Sequence, residues 1–358
     1  MKKKVFYIVL ITAFAFSCND KSGLKEPPVV EEVGLGHKSK LDYPEKLSEW
    51  GLFQGNPQHL VPVNGALSYE LNTPLFTDYA RKSRFILLPK GKKMRFEPSE
   101  VFGFPKESIL VKTFYYPADF KKPVENIHLI ETRLLIHNDK GWEALTYVWN
   151  EQQTDAELTI SGASVDVSWK DKKGKTQILK YSVPNLVQCK SCHEIDGKMT
   201  PIGPKARNLK ANRQGTVALL TAWSTTGLLD GFSDIKRVEP VPVWEDLKDG
   251  SIAQRARAWL DINCGHCHRK EGPAKNTGLY LTYEERDEFK IGIMKPPVAA
   301  GRGSGRLQYA IVPGQPERSI LIRRIKSLDP EVMMPELGRK MNHREGIAAV
   351  EQWIRELN

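Results

Sequence analysis

Every cysteine beyond Cys18 lies in one of two pentapeptides of the form C-x-x-C-H, Cys189-Lys190-Ser191-Cys192-His193 and Cys264-Gly265-His266-Cys267-His268. With 5 Cys and 8 His in 358 residues, chance produces roughly 0.002 such pentapeptides, so two of them reflect chemistry rather than composition. Two residues between the cysteines bring both sulfurs to one side of a helical turn, and the next histidine falls beneath them. A c-type haem needs that arrangement: thioether bonds from two cysteines and an axial imidazole. The pattern predicts two covalently attached haem c groups, held by Cys189, Cys192, Cys264 and Cys267, with His193 and His268 as metal ligands. A thiol redox pair belongs near a βαβ pattern, which the sequence lacks. A zinc site joining both cysteine pairs leaves both trailing histidines unexplained.

The amino terminus narrows the compartment. Met1-Lys2-Lys3-Lys4 precedes an apolar stretch from Val5 to Phe16 and then Ser17-Cys18, the layout of a secretory signal. Residues 1–18 are expected to be a lipoprotein signal peptide, with Cys18 as the lipidation site, although Ala15 stands where leucine is more usual. The chain is thus expected on the periplasmic side of a bacterial membrane, held there by a lipid anchor. Export makes nucleic acid an unsuitable partner for the net charge of +10; an acidic redox partner protein suits it better. No internal apolar run approaches the roughly 20 residues that span a bilayer.

Residues 19–45 carry Lys, Glu, Pro and Gly without periodic pattern and read as a flexible tether. Residues 46–183 read as a β-rich domain. Ile109 to Tyr116, Ile127 to His137 and Trp142 to Asn150 are rich in β-branched and aromatic residues, and the loops ending at Gly141 and Gly174 suit hairpins. Val165, Val167 and Trp169 alternate with polar residues, as in a strand with one buried face. Beyond Pro184 the pattern turns helical. Candidates are Thr216 to Trp223, Ile252 to Asn263 running into the second motif, and 343–357, where Asn342 and Glu345 have capping-box spacing. The expected architecture is multidomain: a mainly-β amino-terminal domain, then α-helical cytochrome c-like haem domains, with a first haem segment at 184–250 and a second at 251–358.

A sixth ligand is suggested for each iron. Met334, directly before Pro335, suits the second haem, since methionine opposite histidine raises the potential for electron transfer and proline stiffens the loop. Met199 is the nearby candidate for the first. Gly203-Pro204 and Gly272-Pro273 follow the motifs; a proline carbonyl there accepts the Nδ1 proton of an iron-bound histidine, or the pairs are turns. His128 and His137 read as structural or solvent-facing rather than as haem ligands from the β part, and Trp223, Trp244, Trp259 and Trp353 as core or haem-packing residues. Arg302 and Arg306, in a glycine-rich loop, are candidates for haem propionates, with a solvated loop as the alternative.

Longer strings carry a resemblance. Leu71-Asn72-Thr73-Pro74-Leu75-Phe76-Thr77-Asp78-Tyr79-Ala80, Tyr147-Val148-Trp149-Asn150-Glu151-Gln152-Gln153-Thr154-Asp155-Ala156, Pro201-Ile202-Gly203-Pro204-Lys205 and Arg255-Ala256-Arg257-Ala258-Trp259-Leu260-Asp261-Ile262-Asn263-Cys264 are similar to segments of the bacterial di-haem c-type cytochromes that carry an amino-terminal β domain. The resemblance implies two haems and electron transfer, and it names no substrate. An electron carrier is therefore expected rather than an enzyme. A peroxidase- or oxidase-like enzyme with open iron at the first haem is one alternative, and a haem-containing binding or sensor module is another.

Overall fold

The computed structural model describes residues 43–210, 215–233, 238–298 and 301–358. Cys18, the apolar leader and nearly all of the expected tether lie outside the described residues. Tyr43 to Glu45, the end of that tether, pack on the fold: Tyr147 Oη donates to Pro44 O at 2.8 Å, and Leu158 N to Glu45 O at 2.8 Å.

The centre is an antiparallel sheet ordered β1(Leu67–Ser68), β2(Arg81–Leu87), β4(Ile109–Pro117), β5(Ile127–Asn138), β6(Gly141–Trp149), β7(Ala156–Thr159). β3(Met94–Arg95) pairs elsewhere, parallel to β12(Leu229–Asp230). The expected strands and the hairpin turn at Gly141, where φ is 113°, are present. A second hairpin, β8(Ala163–Lys170) and β9(Thr176–Val183), buries Val167 and Trp169, as their alternation requires.

Because successive side chains point to opposite faces, the register sorts the sheet into two surfaces. Phe85, Val111, Leu134 and Leu145 form one row across four strands, buried beneath Leu47, Trp50 and Leu52. Each such side chain contributes about 1.5–3 kcal/mol when fully buried. The other face receives the rest of the chain. Ile86 and Leu110 pack with Ala206, Leu209, Leu220 and Trp223, while Phe114 and Tyr116 pack with Trp169 and Tyr181. The segment 184–250 therefore shares a core with the sheet.

The carboxy-terminal region overturns one expectation. No α-helical cytochrome c-like domain follows the β domain. The described helices are six and short: α1(Leu186–His193), α2(Gly215–Thr225), α3(Ile252–Leu260), α4(Glu288–Ile291), α5(Ile320–Lys326) and α6(Arg344–Glu356). The physical reason is in the connecting sequence. Gly272-Pro273, Gly278, Gly292, Pro296-Pro297, Pro313-Gly314 and Pro316 interrupt the backbone hydrogen-bond ladder before a helix can lengthen. Around them α3 crosses α6, and Trp244, Trp259, Ile322, Val350 and Trp353 form a local core. Gly346 permits the close approach, since a Cβ there would overlap the Trp259 indole. The expected capping box also fails to form. His343 is the N-cap, Asn342 Nδ2 donates to Lys326 O, and Glu345 accepts from Tyr79 Oη at 2.8 Å. No helix among the described residues is long and apolar enough to cross a membrane.

Candidate functional site

Both motifs begin on helical backbone. Asn185 caps α1 by accepting from Gln188 N, and Gln188 Oε1 accepts from Asn185 N in return, so Cys189, Cys192 and His193 fall on one two-turn helix. The second motif starts differently. After Leu260 the backbone relaxes into a π turn, Asp261–Gly265, that carries Cys264; such turns gather at functional positions.

The cation-bearing face of the sheet, α1, the π turn and the loop before α6 enclose a cavity of about 420 Å³. Cys189, Cys192 and His193 line it, as do His266, Met334 and His343. His268 and Met199 are not among its walls. Met334 is thus brought to this cavity, and His268 is not brought there with it.

His193 has the protonation a metal ligand needs. Its Nδ1 lies 3.0 Å from Thr200 O, and a carbonyl only accepts, so Nδ1 carries the proton and Nε2 keeps a free lone pair. Burial first, then the charge of Lys112, pushes the imidazole down to about 3. The acceptor is Thr200 rather than Pro204, whose carbonyl takes the Phe102 amide at 3.4 Å. His268 Nδ1 is 3.5 Å from Thr277 Oγ1, so Pro273 is not its partner. Met199 is fixed in a hairpin, β10(Glu194–Ile195) against β11(Lys198–Met199), in which Glu194 pairs with Met199. Thr200 N also donates to His193 O at 2.6 Å. A segment closed on His193 this way has no slack to pass around to the opposite face.

The two motifs meet. Cys192, His266 and Cys267 bring ligand atoms within 4.8 Å of one another, and Cys267 Sγ is 3.7 Å from Ser191 O. Hydrogen bonds from Cys267 and His266 draw the Cys192 thiol down to about 4, while sharing that proton raises Cys267. Nδ1 of His266 is buried without a partner. Two sulfurs and an imidazole suit Zn²⁺ or Cu⁺. Those sulfurs are the ones thioether bonds would consume, so a metal ion there and haem attachment exclude each other. No family model matches the chain, and no curated protein or solved structure is found to match it.

Several residues were not singled out by sequence reasoning. Arg207, 2% exposed, pairs with Asp261 at 3.2 Å and with Glu284. Glu100 accepts from Arg269, directly after the second motif, at 2.9 and 3.1 Å and pairs with Lys205 at 3.3 Å. His343 lies parallel to Phe76 at 4.3 Å and accepts the Trp259 indole N–H at 2.8 Å. An Nδ1 that accepts leaves the proton on Nε2, so His343 presents a donor rather than a metal ligand. No local pattern announces these contacts. Other expectations resolve simply. His137 donates to the Phe104 or Pro105 carbonyl and stacks on Trp142 at 4.6 Å. His128 lies outside the cavity. Trp149 and Trp169 are buried, so they offer no aromatic binding platform.

Proposed function

We propose that this chain is an exported di-haem c-type cytochrome, a member of the bacterial group with an amino-terminal β domain, which passes electrons between redox partners while anchored through a lipid on Cys18. The observation that carries the reading is His193: an imidazole with Nδ1–H tied to Thr200 O, in the wall of a cavity that Cys189 and Cys192 also line. The residues fit the group, because both sulfurs, a neutral ligand nitrogen and half-buried cations for its carboxylates line one space. When bound, haem supplies a one-electron iron couple. The polypeptide holds its position, keeps His193 in the ligand tautomer and excludes water with Phe114, Ile202 and Leu135. Cys192 and Cys267, whose sulfurs lie within 4.8 Å of each other, would hold groups attached to them near one another, which would suit exchange of electrons between the two. The excess of basic residues suits an acidic partner protein docking through a small interface.

One observation favours a second reading, a peroxidase- or oxidase-like enzyme. Met199 is held away from the cavity, so the first iron would be open unless Met334, which lines the same cavity, bound it. The test is the intact mass, metal content and spectrum of protein made in a haem-attaching host. Two haems per chain support the carrier. Carbon monoxide binding to one haem per chain supports the enzyme. Zero haems with one bound Zn²⁺ or Cu⁺ transfers the site to Cys192, His266 and Cys267.

A further inference from the structure

Arg84, Lys112 and Arg133 stand side by side on β2, β4 and β5, paired Arg84 to Lys112 and Lys112 to Arg133. All three line the cavity. Cβ atoms of directly opposed residues are about 4.5–5.5 Å apart, and like charges at that spacing destabilise a sheet. Partial burial deepens the conflict, since an unpaired charge there loses part of its hydration.

One step along the strands on one side, the same face carries Ile86 and Leu110 in an apolar core; on the other it carries Phe114 between Lys82 and Glu131. An apolar row would continue the Ile86 and Leu110 core. Of the three, Arg133 alone has a protein anion: it donates Nε to Oε2 at 2.8 Å and Nη2 to Oε1 at 2.5 Å of the buried Glu131 carboxylate, which also accepts from Tyr181 Oη at 2.6 Å. Arg84 donates once, to Lys82 O at a long 3.4 Å. Lys112 has no ion pair or hydrogen bond among the described residues, only the ring of Phe114 at 5.2 Å. Burial, then Arg133 and Arg84, pushes the Lys112 ammonium down to about 7. What Arg84 and Lys112 lack is an anion from within the cavity. The arginine loop does not compete for that role, because Arg302 is exposed and pairs with Asp329 and Glu331.

Resting on the di-haem reading, we propose that Arg84 and Lys112 bind the propionate carboxylates of the haem held by Cys189 and Cys192, with Arg133 completing the positive row. Arg84 offers a planar fork that matches a carboxylate, and Lys112 a point charge. A half-buried cation beside a haem disfavours the extra positive charge of ferric iron, so the pair holds that haem's potential up.

The full-length protein from a haem-attaching host is compared with Lys112→Met, Arg84→Met and, as a surface control, Lys140→Met. Intact mass counts haems, a spectroelectrochemical titration resolves their transitions, and resonance Raman follows the propionate bending bands. The expected result is two haems in every variant, with one transition moved to lower potential and one propionate band shifted in Lys112→Met and Arg84→Met alone. Two haems with both potentials and the propionate bands unmoved overturn the proposal and leave the di-haem reading intact. Zero haems in the unmodified protein overturn the di-haem reading itself. Conversion of one iron to high spin in Lys112→Met makes that lysine an iron ligand and overturns the propionate role. So does acetate binding to the haem-loaded protein that both variants abolish, because the row would then serve a free carboxylate.

Discussion

Asp78 offers the sharpest test of how the sheet and the Met334 loop hold each other. Its carboxylate, 2% exposed, accepts the backbone N–H groups of Lys340 at 2.8 and 2.9 Å and Met341 at 2.7 Å. Its own carbonyl accepts from Tyr116 Oη at 2.6 Å. One residue before, Arg339 donates to Met334 O at 2.9 Å and Ser327 O at 2.8 Å. Asp78 thus clamps the loop that carries Met334 to a residue at the start of β2. Hydrogen bonds to charged groups contribute about 1.5–3 kcal/mol each, which gives the two amides a gross value of about 3–6 kcal/mol. Burial opposes them. It is the largest influence on Asp78 and raises its pKa despite the amides and Arg339. A raised acid pKa means that ionisation costs the folded state stability as pH rises through it, so the net effect is smaller than the gross. Asp78→Ala should cost about 2–4 kcal/mol at pH 7 by urea unfolding followed through tryptophan fluorescence. Asp78→Asn, which keeps one acceptor and removes the charge, should cost about half of that. A loss under about 0.5 kcal/mol for Asp78→Ala would refute the clamp.

Two further outcomes follow from the same geometry. Glu100 is held down to about 2: burial acts to raise it, and its bonds to Arg269 and Lys205 outweigh burial. Its contribution is complete above the ordinary carboxylate pKa and is lost as pH falls toward 2, so Glu100→Gln should lower stability by about 1 kcal/mol at neutral pH, given its half-exposed side chain. The gap should close below pH 4.5, and a gap constant from pH 7 to pH 2.5 contradicts the ion-pair account. Met334→Ala should abolish a weak sulfur-to-iron absorption band and lower one haem potential, with Met333→Ala doing neither. The reverse pattern moves the ligand by one residue.

The local code of this chain is legible residue by residue. Alternation and β-branched runs mark the strands, because a half-buried pleated surface imposes a period of two. The C-x-x-C-H spacing marks both cysteine motifs, because the pattern is complete within five residues. The helical carboxy-terminal domain was misread for a related reason. Periodic stretches such as 252–263 and 343–357 do form helices, but their spacing says nothing of the glycine- and proline-broken chain between them. Everything that joins distant segments belongs to the tertiary structure. The meeting of Cys192 with Cys267 and the clamp of Asp78 on residues 340–341 both depend on chain crossings. The cationic row shows the division most plainly. Arg84, Lys112 and Arg133 look like ordinary polar positions along their strands, and only the pairing register places them abreast on the cavity wall, where Glu131 answers Arg133 and no protein anion answers Arg84 or Lys112.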